Sequence, residues 1–261
     1  MLVLPIYSWD ICLVRSSKLE FLNLINQNSL VLDIGCGEAG YWEEALKNNP
    51  DLRLSLYEPD QNRLIKAQTK AVGSNVNYLS DLSGLNTKFD FIFSFSVLEH
   101  VWDKNQYFGL ISELLSDKGT AVINYDDGHF RNHVYRGRSK IFRFKNNLKT
   151  SLGFLWKITG NYSKFQKPVD PHEVNNLIHK FNMEVVAVEY SQLQDFKKFG
   201  KGLLPSEHEE IYSAMRSFEI ALNKIYNVKD FDNGAAGSHS ELWSVMMSRT
   251  LVIKKLSIAI D

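Results

Sequence analysis

Apolar residues recur along the chain in two alternating rhythms. Short runs rich in Val, Ile, Leu and Phe, at 30–34, 52–57, 76–79, 89–95 and 120–125, read as strands. Between them, apolar residues three and four apart at 38–47, 61–70 and 104–115 read as helices, and another helix is expected to lead in at 17–26. This alternation is the mark of βαβ units, hence of a parallel sheet in an α/β fold. The rhythm breaks after Asp127 and returns with a helix to Lys180, for which Asp170 is the natural N-cap and Pro171 the first-turn residue. A sixth strand at 183–190, a mostly helical stretch at 203–226 and a last strand at 242–254 complete seven strands. The chain of 261 residues is read as a single domain over 1–261, with insertions at 128–169 and 191–240.

Composition adds little until charge is followed along the chain. An apolar fraction of 44% is ordinary for a folded protein and argues against disorder. Two cysteines, Cys12 and Cys36, are too few for a disulfide framework or a thiolate metal site, and no metal is expected. The N-terminal stretch lacks a basic region before its apolar residues, and no run reaches the length of a membrane span, so a cytoplasmic location is expected.

Lys and Arg balance Asp and Glu at 30 each, yet 128–169 holds no acid at all while carrying Arg131, Arg136, Arg138, Lys140 and further cations. Phe130, Tyr135, Phe142, Phe144 and Trp156 are interleaved with them. Leu148, Leu152, Leu155 and Trp156 fall on one helical face flanked by Lys145, Lys149 and Lys157, as in a helix that lies on an anionic membrane surface. The same composition fits a cap over a site, with its cations solvated. Peripheral membrane attachment and a cap both stay open.

The candidate chemistry begins at Asp33-Ile34-Gly35-Cys36-Gly37-Glu38-Ala39-Gly40, which ends a strand and opens a helix. Glycines there allow a sharp turn and close approach of a ligand. Asp33, two residues before the first glycine, suits a cofactor with an ammonium group better than one with a pyrophosphate, which it would repel. Glu58, at the end of the second strand in Tyr57-Glu58-Pro59-Asp60, can accept from both ribose hydroxyls.

Through VLDIGCGEAG, LYEPD, NYLSDL, FDFIFSFSVLEHV and LSDKGTAVINY, in this order, the sequence resembles the class I S-adenosylmethionine-dependent methyltransferases. The strand-4 segment with VLEHV is similar to small-molecule methyltransferases, including quinone-biosynthesis O-methyltransferases. The resemblance implies a Rossmann-like seven-stranded, mostly parallel sheet with helices on both faces, and S-adenosylmethionine as cofactor. It further implies that Asp33, Gly35, Cys36, Gly37 and Gly40 flank the methionine moiety and that Glu58 and Pro59 hold the ribose. Asp81 and Leu82 would meet the adenine, and Ser94, Phe95 and Ser96 would form the floor.

Methyl transfer needs alignment more than covalent machinery, with a base where the acceptor is a hydroxyl or amine. The candidates are His100, His129 and Asp126, with Asp127 beside the last. The acceptor is expected to be a small molecule, a glycan or a lipid-linked intermediate, methylated at oxygen. Strand 4 ends in Phe93-Ser94-Phe95-Ser96 without the proline of amine-methylating nucleic-acid enzymes, which argues against nucleic acid. A cofactor-binding but catalytically idle partner subunit and a nicotinamide-dependent oxidoreductase stand as alternatives.

Overall fold

A computed structural model describes residues 20–26, 28–126, 166–167, 169–193, 205–225 and 246–256. Seven strands form one sheet in the order β3-β2-β1-β4-β5-β7-β6. They are β1 Leu30–Ile34, β2 Arg53–Tyr57, β3 Val76–Leu79, β4 Phe89–Phe95, β5 Leu115–Asp126, β6 Met183–Leu193 and β7 Met246–Lys255. Pairings from β3 through β5 are parallel, and β7 lies antiparallel between β5 and β6. The helices are α1 Trp42–Asn48, α2 Gln61–Lys70, α3 Lys104–Leu114, α4 Pro171–Lys180 and α5 Pro205–Ile225.

Both faces of the central strands are covered, which is why β1 and β4 are buried along nearly their whole length with no two-residue alternation of buried and exposed positions. On one face Leu32, Ile92, Ala121 and Ile123 pack against Phe108 and Ile111 of α3 and Ile178 of α4. On the other, Val31, Phe91, Phe93 and Val122 pack against Trp42 and Leu46 of α1 and Leu22 of the lead-in segment. Local capping sets three helix starts. Asp60 accepts from Asn62 N and Arg63 N, Asp103 from Gln106 N, and Asp170 from His172 N with Pro171 in the first turn.

Several expected boundaries shift. The first helix after β1 begins at Trp42, four residues later than its apolar spacing suggests, because 38–41 form turns and Ala39 takes a φ of 54°. The lead-in helix does not run to residue 26. Tight turns replace it at 23–25, with Asn23 N, Leu24 N and Ile25 N donating three residues back, and its start lies outside the described residues. β5 starts directly at the end of α3, with a bulge between Phe89 and Phe91 of its partner strand.

The insertion at 128–169 falls almost entirely outside the described residues. The one at 191–240 opens with the last three residues of β6 and contains α5. α5 is fastened to the edge strand by Asn223, whose amide accepts from Tyr190 N and donates to Tyr190 O, both at 2.8 Å. That satisfies an edge residue that would otherwise invite another strand. Among the described residues, no helix is long and apolar enough to cross a membrane.

Candidate functional site

The carboxyl ends of β1, β2, β3 and β4 open on one cleft of about 960 Å³. Its first wall is the turn after β1. Gly35 N and Cys36 N both donate to Tyr57 O, at 2.8 and 3.0 Å, so the turn is bolted to the end of β2. Gly35 has φ of 77°, and a Cβ there would stand 2.5 Å from a Val97 methyl. Gly37 has φ of 59° and, like Gly40, faces open space.

Glu58 joins two walls. Its carboxylate accepts from Gly37 N at 2.9 Å and from Asp60 N at 3.0 Å, and the residue is almost fully buried. One side chain thus fixes both the glycine turn and the residue that caps α2. Further along, the exposed Asp81 accepts from Ser83 N at 2.9 Å and from the Ser83 hydroxyl, and these two bonds hold its carboxyl below the usual range. Leu82 beside it is buried.

At the end of β4, Ser96 adopts φ of 56° and donates its N–H to Asn124 O at 2.8 Å, which turns the chain across the cleft. A short 3-10 turn, Leu98–His100, follows, and His100 lines the cleft.

Gly35, Glu58, Pro59, Asp81, Leu82, Ser96 and His100, all expected at the site from sequence, therefore border one space. Asp33, Cys36, Ser94 and Phe95 are buried behind its lining. Asp33 Oδ2 accepts from Trp42 Nε1 at 2.7 Å and from the Tyr41 hydroxyl, so the carboxylate supports the turn from the α1 side. Burial, reinforced by the Asp33 charge, pushes the Tyr41 phenol well above its ordinary pKa and keeps it a donor. Burial likewise raises the Cys36 thiol, with the Asp33 and Glu58 charges adding to it, so this cysteine is no nucleophile. Ser94 donates to Ile34 O at 3.0 Å and ties β4 to β1. Asp126 closes β5 opposite Ser248, and His129 and Asp127 lie outside the described residues.

Tyr41 and Tyr107 were not singled out from sequence. Tyr107 lines the cleft from α3, and burial, with the charges of Glu99 and Asp33, raises its phenol. Its only sequence signal is an aromatic on the buried stripe of a helix, which core packing explains equally well.

Glu58, Asp60, Asp81, Asp103 and Glu113 line the cleft with Arg63 as its only Arg or Lys, so among the described residues the lining is acidic. Such a wall favours a ligand that carries positive charge. Among the described residues, no group of three or more His, Cys, Asp or Glu could hold a metal ion.

A family model described as a methyltransferase domain matches residues 8–188. No curated protein matches the chain. Among solved structures, a SAM-dependent methyltransferase from Archaeoglobus fulgidus is similar at 14% identity and a TM-score of 0.53, over 93% of each chain. The cyclopropane synthase MmaA2 from Mycobacterium tuberculosis gives 13% identity and 0.54, over 92% of this chain and 84% of that one. A phosphoethanolamine N-methyltransferase from Haemonchus contortus, solved with S-adenosyl-L-methionine, gives 17% and 0.55, over 93% of this chain and 52% of its own.

Proposed function

Because the chain belongs to the methyltransferase-domain family and uses S-adenosylmethionine as its cofactor, we propose that it methylates a small-molecule, glycan or lipid-linked acceptor at oxygen, with the cleft as cofactor site. The observation that carries this is Glu58, a buried carboxylate that ties the glycine turn to the end of β2 at the mouth of an acidic cleft. Each carboxylate oxygen accepts one backbone N–H and has a further lone pair for a ribose hydroxyl.

The residues present fit the cofactor. Open space beside Gly37 and Gly40 leaves room for close approach, and the acidic lining suits the sulfonium and ammonium charges. When bound, the cofactor supplies an electrophilic methyl group whose bond to sulfur breaks as the acceptor forms its own bond to carbon. Gly35 and Gly37 would hold the methionine end, with Asp33 acting through the turn it supports. Asp81 and Leu82 would meet the adenine, and Ser96 would set the floor. His100 is the base candidate that borders the cleft, and it would take the acceptor proton as the new bond forms.

The test is calorimetric titration with S-adenosylhomocysteine, followed by mass spectrometry of products after incubation with deuteromethyl-labelled S-adenosylmethionine and a pool of hydroxylated metabolites. Failure to bind S-adenosylhomocysteine would sink the reading. Labelling confined to nitrogen or carbon would remove the oxygen assignment. For the basic segment at 128–169 the proposed partner is an anionic membrane surface, and absence of co-sedimentation with anionic liposomes at low salt would leave the cap reading in its place.

A further inference from the structure

Among the described residues, five that are not glycine take a positive φ, and four of them are accounted for locally. Asn28 and Asn182 are asparagines, which tolerate the left-handed region. Ala39 buries its methyl in the core around Trp42. Gln192 buries its side chain beside α5, and its N–H donates to Glu219 Oε1 at 2.7 Å. Ser96, with φ of 56°, is different. Its side chain belongs to neither core cluster, is only half-buried, and borders the cleft.

The conformation at Ser96 has a backbone cause. Ser96 N donates to Asn124 O at 2.8 Å, and the turn that follows is closed by His100 N donating to Val97 O at 2.7 Å. That accounts for the turn and leaves the hydroxyl unexplained, because glycine would adopt the same φ with no steric cost. Strain held at a ligand cleft points to work done by the side chain it fixes.

The position says what that work is. The strand order turns between β1 and β4: from β1 the sheet runs outwards to β2 and β3, and from β4 to β5. Open α/β sheets bind ligands outside the carboxyl ends at such a point. Gly35 stands on the β1 lip and Ser96 on the β4 lip, with the Val97 methyl closing on Gly35 between them, and all three line the cleft. Ile34, Gly35 and Val97 carry no polar side-chain atom, so Ser96 Oγ is the polar group of this stretch of the lining.

We propose that the Ser96 hydroxyl is a contact group for the reactive end of the cofactor, its oxygen facing the methyl-bearing sulfonium and setting the direction of the methyl group. This rests on the methyltransferase reading above. A hydroxyl suits the place better than a carboxylate. Sulfur is positive before transfer and neutral afterwards, because the carbon–sulfur bond leaves its electron pair on sulfur as the methyl passes to the acceptor. A full negative charge here would stabilise the reactant more than the transition state, whereas a fixed dipole aligns the methyl with a smaller ground-state gain. The left-handed backbone supplies the fixed aim, since it cannot relax without disturbing the bond from Ser96 N to Asn124 O.

The test compares two ligands on the full chain by calorimetric titration. S-adenosylhomocysteine carries nothing at the methyl position, and sinefungin carries a protonated amine there. Ser96→Gly keeps the backbone conformation and removes the hydroxyl. It is expected to melt at or above the wild-type midpoint and to bind S-adenosylhomocysteine within about twofold of wild type, but to bind sinefungin at least about tenfold more weakly. Ser96→Ala lacks the hydroxyl and keeps the strain, so it should show the same loss for sinefungin while melting below Ser96→Gly.

An unchanged ratio of the two affinities in either variant, or equal losses of both ligands, overturns the contact. A Ser96→Gly variant that melts clearly below wild type or fails to fold marks the side chain as structural and overturns it as well. Failure of wild type to bind S-adenosylhomocysteine would instead sink the methyltransferase reading on which the inference rests.

Discussion

Glu58→Gln is the sharpest perturbation of the proposed cofactor site, because it changes charge and one donor-acceptor assignment while keeping shape. The wild-type carboxylate accepts from Gly37 N at 2.9 Å and Asp60 N at 3.0 Å. A glutamine can accept on one side only, and its NH₂ must face an N–H on the other. Hydrogen bonds to a charged group contribute about 1.5–3 kcal/mol each, so losing one and weakening the second costs about 2–4 kcal/mol without cofactor. For a chain of this size, each kcal/mol moves the melting midpoint by roughly 2–4 °C, so a fall of about 5–15 °C is expected. If the ribose hydroxyls donate to the same carboxylate, affinity for S-adenosylhomocysteine falls by a further 10- to 150-fold or so. Calorimetric titration well below the variant's midpoint separates lost affinity from unfolding. A variant with a lowered midpoint but affinity within about twofold of wild type would refute the ribose role, and an unchanged midpoint would refute the hydrogen-bond assignment itself.

Gly35→Ala and Gly37→Ala should separate two reasons for glycine. Both residues have positive φ, which costs alanine about 1–2 kcal/mol, but only at Gly35 would the new Cβ also meet Val97, at 2.5 Å. Urea unfolding should show the larger loss for Gly35→Ala, by about 1–3 kcal/mol, and equal losses would contradict the packing argument. Glu38 is held at about 2, below its ordinary 4.5, by hydrogen bonds first from Lys66 and then Lys70. A depressed carboxyl stabilises the fold fully above pH 4.5 and loses that contribution as pH falls towards 2. The pair is largely exposed, so Glu38→Gln should cost only about 0.5 kcal/mol at pH 7 and nothing near pH 2, and an effect that persisted in 1 M salt would count against it. Arg216, buried, contacts Glu20, Glu189 at 2.7 Å and the buried Glu219 at 3.5 Å. Arg216→Met strands these acids and should cost about 3–5 kcal/mol in denaturant titration, and a near-neutral result would show that the acids find other partners.

The grouping of the site residues around one cleft was legible because it is local. Every residue that borders it from Gly35 to Tyr107 comes from consecutive βα units, and a glycine turn after an apolar strand is a signal short enough to read directly. The face to which each side chain projects was not legible. Asp33 sits between Leu32 and Ile34 in a strand buried on both sides, so apolar alternation gives no parity, and only the structure shows it turned towards Trp42. The late start of α1 was hidden for a different reason. Ala39 takes a conformation that alanine disfavours, and propensity cannot anticipate a backbone held in place by the packing of its neighbours.

The buried polar cluster of Asn124, Ser248 and Thr250 between β5 and β7 was invisible for a third reason, one of distance along the chain. Asn124 reads as an unremarkable residue in a strand until β7 sets Ser248 and Thr250 against it, more than a hundred residues later. The antiparallel course of β7 matters here. It brings the start of that strand, at Met246, beside the carboxyl ends of β5 and β6, where Asp126 faces Ser248 and Leu193 faces Met246. The chain therefore leaves β5, leaves β6 and enters β7 at one rim of the sheet, next to Ser96, while the turn that would hold the cofactor is built from β1 and β2. Residues along the first set of connections can vary without disturbing Gly35, Gly37 or Glu58. Such a division lets the glycine turn and Glu58 stay readable in sequence while a cluster assembled from distant strands does not.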